Sequence, residues 1–324
     1  MNGHPTLPLV VIVGPTASGK SALAIRLAQE LNGEVIACDS TQLYRGFDIG
    51  TAKPSVTERE GVPHHLIDVL QPSEEATAGG YRERAIEVLA AMRERGILPI
   101  LTAGTGLYLR ALLLGFAEVP QRSEEMRERL RASALEHGPG HLHRILVRLD
   151  AVSARKIAFA DEQKLIRAIE VCLLSKKPLS EIHGTGRTPL EGWRAIKIGL
   201  APEREGLYAK IHTRAETMLS RGWLEEVRAL MASGLAANAK PFNFIGYREL
   251  RAVLNNEMKL AEAREAIEQA TRRYAKRQIT WFRPDREVRW LTGFGDDAEI
   301  QRQSLEWLRE ELRADTAGAG GMDV

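Results

Sequence analysis

The chain has 324 residues, 44% of them hydrophobic and 27% charged, with a net charge of +2, an ordinary composition for a soluble globular protein of one large domain or two smaller ones. No apolar run approaches the roughly 20 residues of a membrane helix, and no basic stretch with an apolar run behind it marks a signal peptide, so a cytoplasmic protein without a membrane role is expected. The two cysteines, Cys38 and Cys172, form no Cys-x-x-Cys pair, which argues against a disulfide framework or a zinc site.

Met1 to Pro8 reads as a short disordered lead. Leu9 to Val13 is a continuous apolar run, the pattern of a strand buried on both faces in a parallel sheet. The loop Gly14, Pro15, Thr16, Ala17, Ser18, Gly19, Lys20, Ser21 follows, and a helix is predicted from about Ser21 to Leu31. Glu34 to Cys38 reads as a second strand that ends at Asp39. From Gly46 to Ser73 the pattern breaks into Gly, Pro and turn residues, as in a long functional loop. A helix is predicted over Gly80–Arg95 and a third strand over Ile97–Thr102. The turn Ala103–Gly106 then leads into a helix over Leu107–Leu114. This alternation predicts an α/β fold, a P-loop NTPase-like parallel sheet with flanking helices.

After Pro120 the character changes. Glu124–Glu136, His141–Leu149, Ala151–Ile157 and Glu162–Leu174 all show amphipathic helical spacing, with no strand until Ala195–Leu200. A helical insertion domain over 119–194 is therefore expected, set within a catalytic core made of 1–118 and 195–312. Further helices are predicted at Arg204–Gly222, Leu224–Ser233, Tyr247–Leu254 and Ala261–Thr280, and a last strand at Val288–Leu291. The Ala/Gly-rich end, 313–324, reads as a disordered tail.

Residues 14–21 match G-x4-G-K-[ST], between a strand and a helix as the motif requires. Glycines let the backbone turn tightly and aim N–H groups at phosphate oxygens, and the following helix adds the positive end of its dipole. Lys20 neutralises phosphate charge, and Ser21 offers its hydroxyl to Mg2+. The motif marks nucleotide-binding and ATP-binding proteins, but it serves kinases, ATPases and other pyrophosphate users alike.

Asp39 sits at the carboxyl end of the second strand, where open α/β sheets place their ligands. Three roles fit that position: taking a proton from a nucleophile, holding Mg2+ through water, or capping the next turn. Thr105 lies in the turn after the third strand, suited to a ligand contact, a helix cap, or both. His64 and His65 are adjacent and do not face one way, so they suit loop structuring better than a metal pair. From Thr271 to Arg289 there are seven Lys or Arg and only two acids, Asp285 and Glu287. Arg272 and Lys276, like Arg273 and Arg277, are like charges at i,i+4, which disfavour a bare helix and suit a polyanion or a solvated face. The interleaved Tyr274, Trp281 and Phe282 fit either base stacking or a core.

Taken together, GPTASGKS (14–21), DSTQLYRGFDIGTAKP (39–54), GVPHHLIDVLQPSE (61–74), AGTGLYLRAL (103–112), RAIEV (167–171), FIGYREL (244–250) and KRQITWFR (276–283) resemble the tRNA dimethylallyltransferases, also called tRNA isopentenyltransferases. The segments keep the family's order across about residues 8–292. The resemblance implies a prenyl transferase of tRNA modification. It would move a dimethylallyl group from its diphosphate to N6 of adenosine 37 in tRNAs reading codons that begin with U, with Mg2+ as cofactor. The P-loop would then hold the donor's diphosphate instead of ATP. Asp39 is implied to hold the N6 amine and accept its proton, Thr105 to contact the donor near its bridging oxygen, and Arg214 to act as a further cation. The base must leave its stack for this chemistry.

The implied tRNA contacts are Asp39, Ser40, Thr41, Gln42, Thr105 and Arg127; Gln163, Lys164, Leu165, Ile166 and Arg167; Phe244, Ile245, Gly246, Tyr247, Arg248 and Glu249; and Lys276, Arg277, Gln278, Ile279, Thr280, Trp281, Phe282 and Arg283. The partner would be the anticodon stem-loop, gripped by a monomer through the insertion on one side and the core on the other. Three positions depart from the family pattern. Ala158-Phe159-Ala160 stands for His-Pro-Asn, Ala103 for the first glycine of a Gly-Gly-Thr, and Phe242-Asn-Phe244 precedes Ile245-Gly246. Rival classes are a nucleoside kinase, an adenylate prenyltransferase acting on free AMP or ADP, and an RNA-binding ATPase. The first has no use for the basic helix, and the second matches only part of the chain. The third lacks a water-positioning residue beside Asp39.

Overall fold

The computed structural model describes residues 6–117, 119–182 and 188–319. Six strands form one sheet: β1 Leu7–Val13, β2 Gly33–Cys38, β3 His64–His65, β4 Leu98–Ala103, β5 Trp193–Leu200 and β6 Val288–Leu291. All pairings are parallel, in the order β3-β2-β4-β1-β5-β6. β1 lies at the centre, and Leu9 to Ile12 are wholly buried there, which is why that stretch is apolar without alternation. β1 starts at Leu7, inside the segment expected to be a disordered lead; residues 1–5 lie outside the described residues.

Thirteen α-helices are seen among the described residues. α1 (Lys20–Leu31), α2 (Ala78–Glu94) and α3 (Gly106–Leu114) follow β1, β3 and β4. α4 (Glu124–His137), α5 (His141–Leu149), α6 (Ala151–Lys156), α7 (Glu162–Ser175) and α8 (Leu179–Ile182) come before β5. α9 (Arg204–Ser220), α10 (Trp223–Ala232), α11 (Tyr247–Leu254) and α12 (Leu260–Phe282) separate β5 from β6, and α13 (Ala298–Ala319) ends the described chain. The chain divides into two compact units, 1–113 with 191–324, and 114–190.

In the larger unit, Leu23 and Leu27 of α1 and Leu308 of α13 pack with Val10, Ile12, Ile196 and Ile198 of the sheet. Each such side chain gains about 1.5–3 kcal/mol by leaving water. The sequence reading has no helix at α13. Its buried stripe, Ile300, Ser304 and Leu308, repeats every four residues but includes a serine, whose hydroxyl returns to the Ile300 carbonyl at 2.7 Å. Arg302, paired with Glu299 and Glu306, dominates the outer face. The helix continues to Ala319, into the segment expected to be a disordered tail; 320–324 lie outside the described residues.

β3 and the four-residue α8 are also absent from the sequence reading. β3 is two residues long, within the predicted loop Gly46–Ser73, and pairs with Val35 and Ile36 of β2. His65 Nε2 meets Glu34 Oε2 at 2.7 Å, while His64 Nδ1 meets the Val62 carbonyl at 2.9 Å. The His65 ring therefore pins the loop to the sheet edge, and the His64 ring braces the loop against its own backbone.

The smaller unit is a helical bundle around Leu130, Leu142, Leu146, Leu165 and Ile169. Its helix starts are capped by side chains: Ser123 accepts from the Met126 amide, Asp150 from Ser153 and Asp161 from Lys164. The Ala158-Phe159-Ala160 departure falls between α6 and α7. There the Phe159 ring lies over Gly140, where a Cβ would meet it at 2.3 Å, and tilts against His143 at 5.8 Å.

Candidate active site

Strand register builds the site. Ala103 is opposite both Val13 and Cys38, so the chain leaves β1, β4 and β2 at one level. Three adjacent carboxyl ends thus emerge together: the loop at Gly14, the turn at Gly104 and the acid at Asp39. This is the edge where parallel sheets bind ligands. They open onto a cleft of about 1240 Å³, lined by Thr16 to Ser21, Asp39, Gly104, Arg214 and Tyr274.

The loop turns through left-handed backbone at Ala17 (φ 64°) and Gly19 (φ 85°) before entering α1. At Gly19 only a glycine fits, because a Cβ there would stand 2.7 Å from the Gly295 amide nitrogen. The Gly295 amide in turn donates to the Ser18 carbonyl at 2.8 Å, so the segment before α13 backs the loop. Lys20 arches over the loop, donating to the Gly14 and Pro15 carbonyls at 3.0 and 2.8 Å. Burial pulls the Lys20 ammonium down to about 8; Asp39 works against this and Arg214 adds to it. Arg214, on α9, donates to Thr16 Oγ1 at 3.4 Å, and burial lowers its guanidinium against the pull of Asp39 and Glu58. Two half-buried cations facing one carboxylate are an electropositive arrangement, suited to an anion of more than one charge.

Asp39 is seated by its own neighbours. Its Oδ1 accepts from the Thr41 amide at 2.9 Å and the Thr41 hydroxyl at 2.7 Å. Its Oδ2 lies against Gly104, where a Cβ would come within 2.3 Å, so this turn needs glycine at Gly104. The Gly104 and Thr105 amides both donate to the Cys38 carbonyl at 3.0 Å, fixing the β4 turn to the end of β2. The Thr105 hydroxyl accepts from the Ser40 amide at 3.0 Å and donates to Ser40 Oγ at 3.3 Å.

Residues 42–285 match the model of a family described as IPP transferase. A tRNA dimethylallyltransferase from Koribacter versatilis is 51% identical over 93% of this chain and 98% of its own length. The chain belongs to the IPP transferase family. A second relative of that description, from Solibacter usitatus, is 49% identical over 94% of this chain and 99% of its own. Among solved structures, the full-length tRNA isopentenylpyrophosphate transferase of Bacillus halodurans matches with a TM-score of 0.69 at 35% identity, covering 96% of this chain and 98% of that one. A eukaryotic dimethylallyltransferase acting on tRNA matches with a TM-score of 0.81 at 26% identity, covering 97% and 80%.

In this IPP transferase the basic helix splits by face. Lys276, Arg277, Thr280, Trp281 and Arg283 are exposed, whereas Gln278 and Phe282 are buried and Ile279 is half-buried. Gln278 turns inward to the site. Tyr274, which the sequence left between stacking and core, is inward too, its hydroxyl donating to the Gly104 carbonyl at 3.1 Å. In 244–249, Arg248 is exposed while Tyr247 and Glu249 are buried. The Tyr247 hydroxyl donates to Glu226 at 2.6 Å and accepts from the Gly50 amide at 3.2 Å, and Glu249 accepts from the Gly246 amide at 2.7 Å. Gln42 reaches the cleft, its amide on the Thr51 and Ala52 carbonyls at 3.2 Å.

In the helical unit Gln163 and Lys164 are exposed, while Leu165 and Ile166 belong to the bundle core. Arg127 and Arg167 both hold the buried Glu170, at 3.1 and 2.6 Å. Lys210 was missed by sequence reasoning. It lines the cleft one helical turn before Arg214, a spacing that was legible, and binds Asp296 at 2.6 Å over the Phe294 ring.

Among the described residues no three His, Cys, Asp or Glu side chains gather as a metal cage. Mg2+ bound through phosphate needs only one or two protein oxygens. Ser21 and Asp39 both line the cleft and supply that kind of donor set, so the residues fit the ion.

Proposed function

We propose that this protein transfers the dimethylallyl group of dimethylallyl diphosphate to N6 of adenosine 37 in tRNAs that read codons beginning with U, acting as a cytoplasmic monomer on the anticodon stem-loop. One observation carries the reading: Asp39 faces a P-loop whose Lys20, together with Arg214, makes an electropositive cleft.

The carbon–oxygen bond to the diphosphate breaks with its electron pair on the leaving oxygen. The N6 lone pair forms the new carbon–nitrogen bond, and the N6 proton passes to the Asp39 carboxylate. P-loop amides, Lys20 and Arg214 are placed to stabilise the charge that grows on the diphosphate. Mg2+, held by Ser21, would supply further neutralisation of that charge. Thr41 fixes one Asp39 oxygen, leaving the other for the amine. The exposed cations Lys276, Arg277 and Arg283 suit RNA phosphates, and Trp281 suits stacking. The helical unit is assigned to the stem-loop as well.

The test is incubation of purified protein with unmodified tRNA, Mg2+ and either dimethylallyl diphosphate or ATP, then digestion to nucleosides and mass spectrometry. Prenylated adenosine at position 37 is expected with the first donor. ATP consumption without a prenylated nucleoside would assign the cleft to a kinase.

A further inference from the structure

Among the described residues, Gln278 is the one side chain whose hydrogen bonds tie α12 to both the P-loop and the β4 turn. It lies in α12, where it is 5% exposed, between the exposed residues Arg277 and Thr280. Its Oε1 accepts from the Thr16 amide at 2.7 Å. Its Nε2 donates to the Gly104 carbonyl at 2.7 Å. The partners leave no freedom in the orientation: the P-loop end is an N–H and demands an acceptor, and the β4 end is a carbonyl and demands a donor. A neutral amide satisfies both at once.

The two anchored points are not equivalent. Thr16 belongs to the diphosphate loop, and its hydroxyl meets Arg214. Gly104 is the floor under Asp39 Oδ2. Binding Thr16 N–H to Gln278 also takes that amide out of the set available to phosphate. A movement of α12 therefore shifts the diphosphate loop and the seat of the acid together. The opposite side of the same helix carries Arg273, Lys276 and Arg277, beside the exposed Trp281.

We propose that Gln278 is a positioning residue that links tRNA engagement on α12 to the geometry of the diphosphate loop and Asp39, so that the two substrates bind with positive coupling. Such coupling is reciprocal, each ligand raising the affinity for the other by one common factor. This rests on the transfer reaction proposed above.

Two substitutions separate positioning from mere support. Q278M keeps length and volume and removes both hydrogen bonds. Q278E keeps the acceptor for Thr16 but sets a carboxylate against the Gly104 carbonyl; once protonated, the acid again accepts at one oxygen and donates at the other. Binding of inorganic pyrophosphate is titrated with and without saturating tRNA in wild type and both variants, and turnover is measured across pH. In the wild type, tRNA is expected to tighten pyrophosphate about tenfold or more. In Q278M tRNA binding alone stays within about twofold, the coupling disappears, and kcat falls about 100-fold, as for a misplaced reacting group. The kcat of Q278E relative to wild type is expected to rise about fivefold or more from pH 8 to pH 6, as its acid takes up the missing proton. Coupling retained in Q278M, or a flat Q278E to wild-type ratio, overturns the proposal. If wild type transfers no prenyl group, the reaction assignment fails, and the pyrophosphate titrations still decide the role of Gln278.

Discussion

The cations at the P-loop and the buried acids of the helical unit are handled in opposite ways. Among the described residues of the helical unit, the buried acids Asp150 and Glu170 are both answered. Burial works to raise Asp150, yet hydrogen bonds from the Ser153 and Ser180 amides and hydroxyls outweigh it and hold the carboxyl at about 2. Glu170 is wholly buried and depressed too: burial opposes ionisation, but Arg167, the Ser123 amide and Arg127 prevail. In the α/β unit, burial wins at Lys20 and Arg214, and both are pushed toward neutrality. A charge compensated from within stabilises a fold. A charge left under strain stores a preference for a ligand of the opposite sign. The contrast marks Lys20 and Arg214 as groups that lack an internal counter-charge of their own strength.

The sharpest break in that comparison would come from Asp39. D39N keeps the shape of the side chain and removes the base; turnover is expected to fall about 1000-fold while tRNA affinity stays within about twofold. Near-normal turnover would make Asp39 structural. Next in size are the strained cations. K20A and R214A should each lower kcat by about 100-fold, the scale for deleting a preorganised charge donor in a closed site. Their thermal stability should hold or rise, because each removes a half-buried, desolvated cation. A large fall in melting temperature with kcat preserved would make the two cations structural.

In the helical unit, D150A should leave the transfer chemistry alone and cost about 2 kcal/mol of stability, read by denaturant unfolding. The sign with pH follows. The folded carboxyl lies below its ordinary value, so its contribution is complete above that value and is lost as pH falls toward about 2. Wild type should therefore lose this increment between about pH 4 and pH 2, and D150A should not. The smallest effect concerns Lys20. Its cationic form dominates below about 8, and diphosphate binding requires that form. Affinity for dimethylallyl diphosphate should be level below that pH and weaken by up to tenfold per unit above it. Calorimetry in buffers of different ionisation enthalpy should show proton uptake near pH 8.5 in wild type but not in K20M.

How much of this was legible beforehand varies from residue to residue. The P-loop, the strand ending at Asp39 and the helical run after Pro120 could be read because each is local: an apolar run, a glycine spacing, a 3.6-residue period. The boundaries of α5, α11 and β6 were matched residue for residue. β3 was not legible, because a two-residue strand has no period of its own and exists only through its pairing with Val35 and Ile36. α13 was hidden by a serine in its buried stripe. At the site, Lys210 fell outside every motif although it stands one turn from Arg214.

What the sequence by itself determined is the inventory: a phosphate loop, a carboxylate at a strand end, a basic aromatic helix, and the family to which they belong. Each depends on residues near one another in the chain, where type and spacing suffice. Only the tertiary structure decided which atoms meet. Register at Ala103 brings Gly14, Asp39 and Gly104 to one level, and the fold carries Gln278 across 262 residues to the Thr16 amide. The reason is physical. Whether a side chain on a helix faces water or closes a hydrogen bond depends on what packs beside it, and that neighbour is chosen by the sheet, not by the helix.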